Sequence, residues 1–478
     1  MALEDSTLVV NGLPGKLEET PRKDEKKPKY LMHRSLVHEP YMVESANGLE
    51  LHLADGSSVL DACGGAAVSI LGHNNEEVNA AILDQMRKVS YIHTQAYTTQ
   101  SAELLAEEIL SGHGAQRHGL EKAFFVGSGS EAIEAAMKLA RQYHFEKGEP
   151  QRVHFVSRRQ SYHGNTMASM SISSNVARKI PYQGFSYPHV SYVDPPYAYR
   201  YRRDGEEETE AEFAERLVRE LEEEFLRISP EKVIAFIAEP VIGATAGCVV
   251  PPAGYLRGVR RVCDKYGILL ILDEIMCGTG RCGTYFAFAA EAEVTPDIVT
   301  LAKGLGGGYA PIAGVLIHSK VIDALRKGSG AFVHGHTYQA HPVSCAAALA
   351  VQRILKRDRL VERCAAMGAV LERRLREELA GCRSVGEIRG RGLFWAVEFV
   401  KDRRTKQTFD PKGGFGLKVQ QAAFEGGVAI YPGAGTVDGL KGDHVLLAPP
   451  YTVTEEQLET IVKAVRSAIE SQEKLYLD

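Results

Sequence analysis

The stretch Ile268-Leu-Leu-Ile-Leu-Asp-Glu-Ile275, followed downstream by Thr300-Leu-Ala-Lys-Gly-Leu-Gly-Gly-Gly308, decides how the rest of this chain is read. Five apolar residues in a row, Ile268 to Leu272, fit a central strand buried on both faces. That strand delivers Asp273 to a buried end. An unpaired carboxylate there costs several kcal/mol, so Asp273 needs a cation or a strong donor. Lys303 follows a second apolar run, Asp297-Ile-Val-Thr-Leu-Ala302, and precedes glycines that let the backbone approach another group closely. A lysine so placed is a charge partner, or a nucleophile whose pKa its surroundings lower.

One cofactor chemistry uses both parts. Pyridoxal 5′-phosphate takes a lysine amine as its covalent anchor, and an acidic residue keeps its pyridine nitrogen protonated so that the ring accepts electrons.

Bulk properties set the limits. The chain has 478 residues, 44% hydrophobic and 24% charged, with a net charge of −5. This is the composition of a globular protein large enough for two domains, and it argues against a general nucleic-acid binder. No apolar run approaches the roughly 18 residues that span a bilayer. The first residues, MALEDSTLVVNGLPGKLEETPRKDEKKPK, lack a signal-peptide core and the acid-poor composition of a transit peptide. They read as a disordered tail on a cytoplasmic protein. Eight cysteines are scattered without metal-site spacing, which fits reduced structural thiols; no metal site is expected.

Short strand-like segments run from about residue 29 to Gly72, with turns at Asn47-Gly48 and Asp55-Gly56. Helical periodicity occupies Glu76 to Leu110. From Lys122 to about Gly330, apolar strands (KAFFVG, VHFVS, VIAFIAEPVIG, GILLILDEI, DIVTLA, IAGVLIH) alternate with helices. That alternation predicts an α/β layer structure on a largely parallel sheet. Two long helical stretches from Ser344, the strand GLFWAVEFV and further strand and helix predict a smaller α+β domain. The expected division is a tail over 1–28, an N-terminal segment over 29–74 packing with the small domain, a large cofactor-binding domain over 75–335 and the small domain over 336–478. The acidic run Asp204–Phe225 reads as a solvated helix on an insertion.

Gly127-Ser-Gly-Ser130 follows the strand AFFV and opens a helix, so free N–H groups and the helix dipole face an anion. Gly129 and Ser130 are therefore candidates to cradle a phosphate. The same turn mimics a dinucleotide fingerprint, with Arg158 and Arg159 suited to a 2′-phosphate, which would make the chain an NADP-dependent dehydrogenase. That alternative leaves Asp273 and Lys303 unexplained. Tyr162 and His163 follow the next strand, and the tyrosine ring is suited to stacking on a flat cofactor. Glu239 ends VIAFIAEP, and Thr337 lies in the polar loop HGHTY.

Together these pieces resemble the class III (ω-) aminotransferases, which have the aspartate-aminotransferase-like fold, fold type I. The matching segments are GSGSEAIEAAMKLAR, YHGNTMASM, AEPVIG, LILDEIMCGTGRCG, DIVTLAKGLGGGYAPIAGV, HTYQAHPVSCAAALA, IRGRGLFWAVEF and LLAPPYTVTEEQ, from about residue 29 to the C-terminus. The resemblance implies a mostly parallel seven-stranded sheet in the large domain. Lys303 would carry pyridoxal phosphate and shuttle the substrate proton, and Asp273 would pair with the pyridine nitrogen. Gly129 and Ser130 would hold the phosphate, with Thr337 reaching in from a second subunit of a homodimer. Tyr162 and Ile275 would cover the two ring faces, with His163 and Glu239 completing the pocket. The implied activity moves an amino group from an amine or ω-amino acid to pyruvate or 2-oxoglutarate by a ping-pong route. A decarboxylase or aminomutase of the same fold would share these residues.

The resemblance has one gap. Relatives that handle α-carboxylates carry a glutamate shortly after the Glu-Pro pair and an arginine before the late Pro-Pro, and the two form a switchable ion pair. Here Ala244 stands near the first place and Leu446 and Leu447 near the second. Arg391, in RGRG, is the candidate for the acceptor carboxylate.

Overall fold

The computed structural model describes residues 30–203 and 208–477. The expected tail over 1–28 lies outside them. Three N-terminal strands, β1 (Val43–Asn47), β2 (Glu50–Leu53) and β3 (Ser58–Asp61), form antiparallel hairpins. Their turns fall at the two Gly-containing signals, where Gly48 and Gly56 take positive φ. The central sheet contains β4 (Leu120–Val126), β5 (His154–Arg158), β6 (Val190–Val193), β7 (Val233–Ala238), β8 (Leu269–Asp273), β9 (Ile298–Leu301) and β10 (Ala313–His318). Its spatial order is β4-β10-β9-β8-β7-β5-β6, and β10 alone runs against its neighbours. The C-terminal strands β11 (Val385–Arg391), β12 (Phe394–Phe399), β14 (Tyr431–Ala434) and β15 (Asp443–Leu447) make an antiparallel sheet. The short β13 (Val428–Ala429) pairs with β3 instead and joins the two ends of the chain.

Every residue of β7 and β8 is buried, as an uninterrupted apolar run in a parallel sheet requires. Alternation along the strand sends Leu270 and Leu272 to one face and Leu269 and Ile271 to the other. The first pair packs with the helices Glu210–Ile228 and Tyr255–Tyr266, the second with Gly129–Glu146. At roughly 1.5–3 kcal/mol for each large aliphatic side chain buried, these two layers dominate the stability of the sheet.

Three expectations change. The helical stretch Glu76–Leu110 breaks between Glu76–Lys88 and Gln100–Glu107, because the linking residues include Tyr91, Ile92, Thr94, Tyr97, Thr98 and Thr99, poor helix formers. The acidic run does not make a solvated insertion. Its helix, Glu210–Ile228, buries Phe213, Leu217, Leu221 and Phe225 against the sheet and turns most of its charged residues outward. The short strand β6, four residues long, was absent from the strands read by alternation.

His444 on β15 is fully buried, and neither ring nitrogen has a hydrogen-bond partner. Burial, with the Arg389 guanidinium adding to it, lowers its pKa from 6.5 to about 4. A depressed histidine pKa supports the folded state above the ordinary value, and that support is lost as pH falls toward the folded one. Between pH 6.5 and pH 4 the wild type should therefore lose roughly 3 kcal/mol on this account, at 1.36 kcal/mol per unit. The His444→Gln variant, uncharged throughout, should show a correspondingly shallower loss when denaturant midpoints are followed across that range.

Candidate active site

The C-terminal ends of β5, β7 and β8 and the start of the helix Gly129–Glu146 converge on one pocket. Asp273 is almost wholly buried at the end of β8. Its Oδ2 accepts from His163 Nδ1 at 2.8 Å. Oδ1 accepts from Ile275 N at 3.0 Å and from Thr300 Oγ1 at 3.3 Å. Since a carboxylate only accepts, the proton of this pair sits on His163 Nδ1. The other ring nitrogen meets Ser157 Oγ at 3.2 Å, which fixes the plane of the imidazole. Three donors thus surround a carboxylate buried this deeply.

Lys303 follows β9 and opens a single 3₁₀ turn, Lys303–Leu305. Its φ of +43° lies in the left-handed region, an unusual position for a residue with a side chain. The side chain is half-buried. Desolvation lowers its pKa, against the opposing pull of the Asp273 and Glu239 charges. Glu239, at the end of β7, accepts from Tyr162 N at 3.2 Å and from Gly243 N at 2.8 Å. Burial pushes its carboxyl above the usual range, while His163 counteracts that rise.

The helix Gly129–Glu146 is capped by Ser128, whose Oγ accepts from Glu131 N at 3.3 Å. Glu131 in turn accepts from Gly127 N at 2.7 Å. The N–H groups of Gly129 and Ser130 have no acceptor within the helix and point out of its positive end. At Gly129 a Cβ would lie 2.9 Å from Ile275 Cδ1, so a larger residue would fill this cradle. Ser130 Oγ accepts from Asn165 N at 2.9 Å, and Gly164 lets the two segments close. The ring of Tyr162 is half-exposed.

Two sequence candidates lie elsewhere. Thr337 is exposed on its loop. Arg391 donates to the carbonyl of Ala287 at 2.6 Å, and its charge acts on Glu274, which points to the opposite side of β8 from Asp273. Glu274 is itself buried, accepting from Ala287 N and Phe288 N at 2.8 and 2.7 Å, and burial raises its pKa to about 7. Arg158 is fully buried and donates to the carbonyl of Glu239, while Arg159 pairs with Asp194. Neither is placed for a 2′-phosphate, which removes the support for a dehydrogenase. Sequence reasoning missed Ser157 and Thr300, and it gave Arg158 a different role from the one it has here, donating to the carbonyl of Glu239. Thr300 was within reach, since it stands beside Asp273 in the β8–β9 register.

The model of the class III aminotransferase family matches residues 31–469. An uncharacterized aminotransferase of Schizosaccharomyces pombe is 47% identical over 94% of this chain and 96% of its own length. Gamma aminobutyrate transaminase 2 of Solanum lycopersicum is 34% identical over 91% and 92%. Among solved structures, a PLP-bound amine transaminase from an uncultivated Pseudomonas species superposes with a TM-score of 0.85 at 33% identity, covering 94% of this chain and 99% of that one. An (S)-enantioselective ω-transaminase from Thermomicrobium roseum gives 0.82 at 36%, covering 91% and 93%. The chain belongs to the class III aminotransferases, with the fold type I architecture of these transaminases; it is an enzyme of amino-group transfer.

Gly164, at φ +129°, has no room for a Cβ, which would fall 2.7 Å from Ser130 Oγ and 2.8 Å from Ser169 Oγ. Gly164→Ala should cost about 2–4 kcal/mol, combining backbone strain with overpacking. Gly148→Ala, at φ +76° in open space, should cost only about 1 kcal/mol. Urea unfolding of the two variants beside wild type checks the difference.

Proposed function

We propose that this pocket holds pyridoxal 5′-phosphate and moves an amino group from an amine or ω-amino acid donor to a keto acid such as pyruvate or 2-oxoglutarate. The observation that carries the reading is Lys303, a desolvated amine in strained backbone, sharing a pocket with the carboxylate of Asp273. The donor set fits the group. The helix terminus at Gly129 and Ser130 suits a phosphate, and the glycine leaves the space that phosphate needs. Tyr162 and Ile275 offer flat and apolar surfaces for the two ring faces, with Glu239 and His163 buried beneath them. When bound, the cofactor supplies an electron sink for the carbon next to the donor nitrogen.

The protein's residues do the rest. Asp273, held by His163, Thr300 and the Ile275 amide, keeps a proton on the pyridine nitrogen. Lys303 would be the base that takes the proton from the donor carbon and hands it on to the cofactor. Its lowered pKa leaves more of it in the neutral form that a base requires. One half-reaction must finish before the acceptor enters, so the kinetics are ping-pong.

Several observations support a homodimer with Thr337 serving the partner's site. Thr337 is exposed beside Tyr338, and the exposed rings of Tyr338 and Tyr91 meet with centroids 6.0 Å apart. Aromatic groups displayed together mark association surfaces. The pocket wall near the expected switch is apolar, with Ala244 and Tyr431 packed against a cluster containing Leu446. Leu447 faces a different core. This supports donors that present no α-carboxylate to that wall. The eight cysteines are free and buried, in keeping with a cytoplasmic enzyme. We also keep the division into 29–74, 75–335 and 336–478, with the pairing of β3 and β13 in its support.

Purified enzyme should be yellow, and borohydride should fix the cofactor to the peptide containing Lys303; label on another lysine overturns the assignment. Lys303→Ala should abolish measurable turnover. Asp273→Asn should retain cofactor yet slow removal of the donor-carbon proton about 10²- to 10⁴-fold, seen as a deuterium isotope effect on a labelled amine. Transfer of ¹⁵N from donor to keto acid separates this reading from an aminomutase, and turnover without release of carbon dioxide separates it from a decarboxylase.

A further inference from the structure

An acceptor keto acid brings a carboxylate that must meet a cation inside the pocket. Several other arginines already hold carbonyl or carboxylate partners. Arg389 pairs with Glu387 and Glu398 and donates to the carbonyls of Ala246 and Gly247. Arg281 donates to Leu393 O and Pro449 O and lies over the Tyr451 ring. Arg391 is turned to Ala287 O, on the Glu274 side of β8.

Arg178 is different. It belongs to the short helix Val176–Lys179, and its guanidinium carbon sits 5.0 Å from the centroid of the Tyr162 ring. The side chain is half-buried, yet among the described residues no carboxylate, carbonyl or hydroxyl accepts from its guanidinium. The neighbouring Lys179 makes the contrast: its Nζ donates to Ser171 O, Ser173 O and Tyr192 Oη at 3.1, 3.0 and 2.8 Å. The backbone beneath Arg178 is held firmly. Asn175 caps the helix. Gly439, in the loop between β14 and β15, packs so closely on Val176 that a Cβ there would lie 2.8 Å away. Gln160 Nε2 and Thr436 Oγ1 tie that loop down through Thr436 O at 2.8 Å and Glu398 at 2.8 Å.

The location matches the need. Tyr431, the first residue of β14, stands opposite Leu446 and packs on the apolar wall that also carries Ala244. Burial raises the Tyr431 phenol pKa, and the Arg178 guanidinium pulls it back. Arg178 thus sits over the ring of Tyr162, and its charge reaches Tyr431, which packs on the wall from which the family's ion pair is missing. A half-buried, unpaired guanidinium on a rigid support is pre-organised for a bidentate carboxylate.

We propose that Arg178 is the specificity-determining cation that receives the carboxylate of the amino acceptor, an assignment resting on the transaminase reading above. No acidic partner needs to swing aside first.

The test uses holoenzyme and the variants Arg178→Met and Arg178→Lys. In Arg178→Met, KM for pyruvate and 2-oxoglutarate should rise about 10- to 100-fold. The keto-acid half-reaction should fall far more than the half-reaction with a carboxylate-free alkylamine. Calorimetric binding of glutarate, an unreactive dicarboxylate, should weaken by a similar factor, and Arg178→Lys should recover part of both losses. Unchanged KM and unchanged glutarate affinity in Arg178→Met overturn the proposal. So does an equal loss in both half-reactions with glutarate binding intact. If wild type itself shows no amino transfer, the transaminase reading fails separately, and the glutarate measurement still decides whether Arg178 binds carboxylates.

Discussion

A carboxylate at the buried end of a central strand is the constraint on which this molecule is organised. The sheet can carry Asp273 into its interior only if donors arrive from other segments. They come from His163 after β5, from Thr300 on the adjacent β9, and from the turn at Ile275. Each contact fixes one neighbour of the strand. Ser157 then steadies His163 from behind. The outcome is a polar nest in an apolar sheet, with its open side directed to the pocket that Lys303 shares.

The rest of the fold repeats that solution on a larger scale. Arg260 and Lys320 meet Asp297 at the start of β9, where Asp297 also accepts from Leu270 N at 2.7 Å. Glu398 gathers Tyr197, Arg200, Arg389 and Thr436 beneath the C-terminal sheet. Removing one partner from such a buried group costs several kcal/mol, because the remaining charge is stranded. These clusters join segments far apart in sequence and thereby fix the positions of loops that apolar packing alone would leave loosely specified.

What the sequence made legible follows from this division. Apolar runs announced six of the seven central strands, because burial on both faces leaves an uninterrupted signature. The fingerprint at Gly127–Ser130, the acid at 273 and the lysine at 303 were legible because each joins a residue type to a strand end. The site as a whole was read mainly through its resemblance to a family. Contacts that depend on register or on packing between distant segments left no local trace. Ser157 and Thr300 are ordinary strand residues until their neighbours are known. The helix Glu210–Ile228 misled because its charges outnumber the apolar positions that seat it, and position rather than number decides burial. Nothing in the sequence around Arg178 distinguished it from Lys179 beside it.

The reversal of β10 carries a consequence for how such an enzyme diversifies. Because β10 runs antiparallel to β9, the chain returns within the segment between Leu301 and Ala313 and needs no crossover helix. Lys303 thus stands at the start of a connection whose two ends are held by paired strands. Variation in what the enzyme accepts must arise in the outer layers, in the segments that overlie the sheet around Val176–Lys179 and in the loop joining β14 to β15.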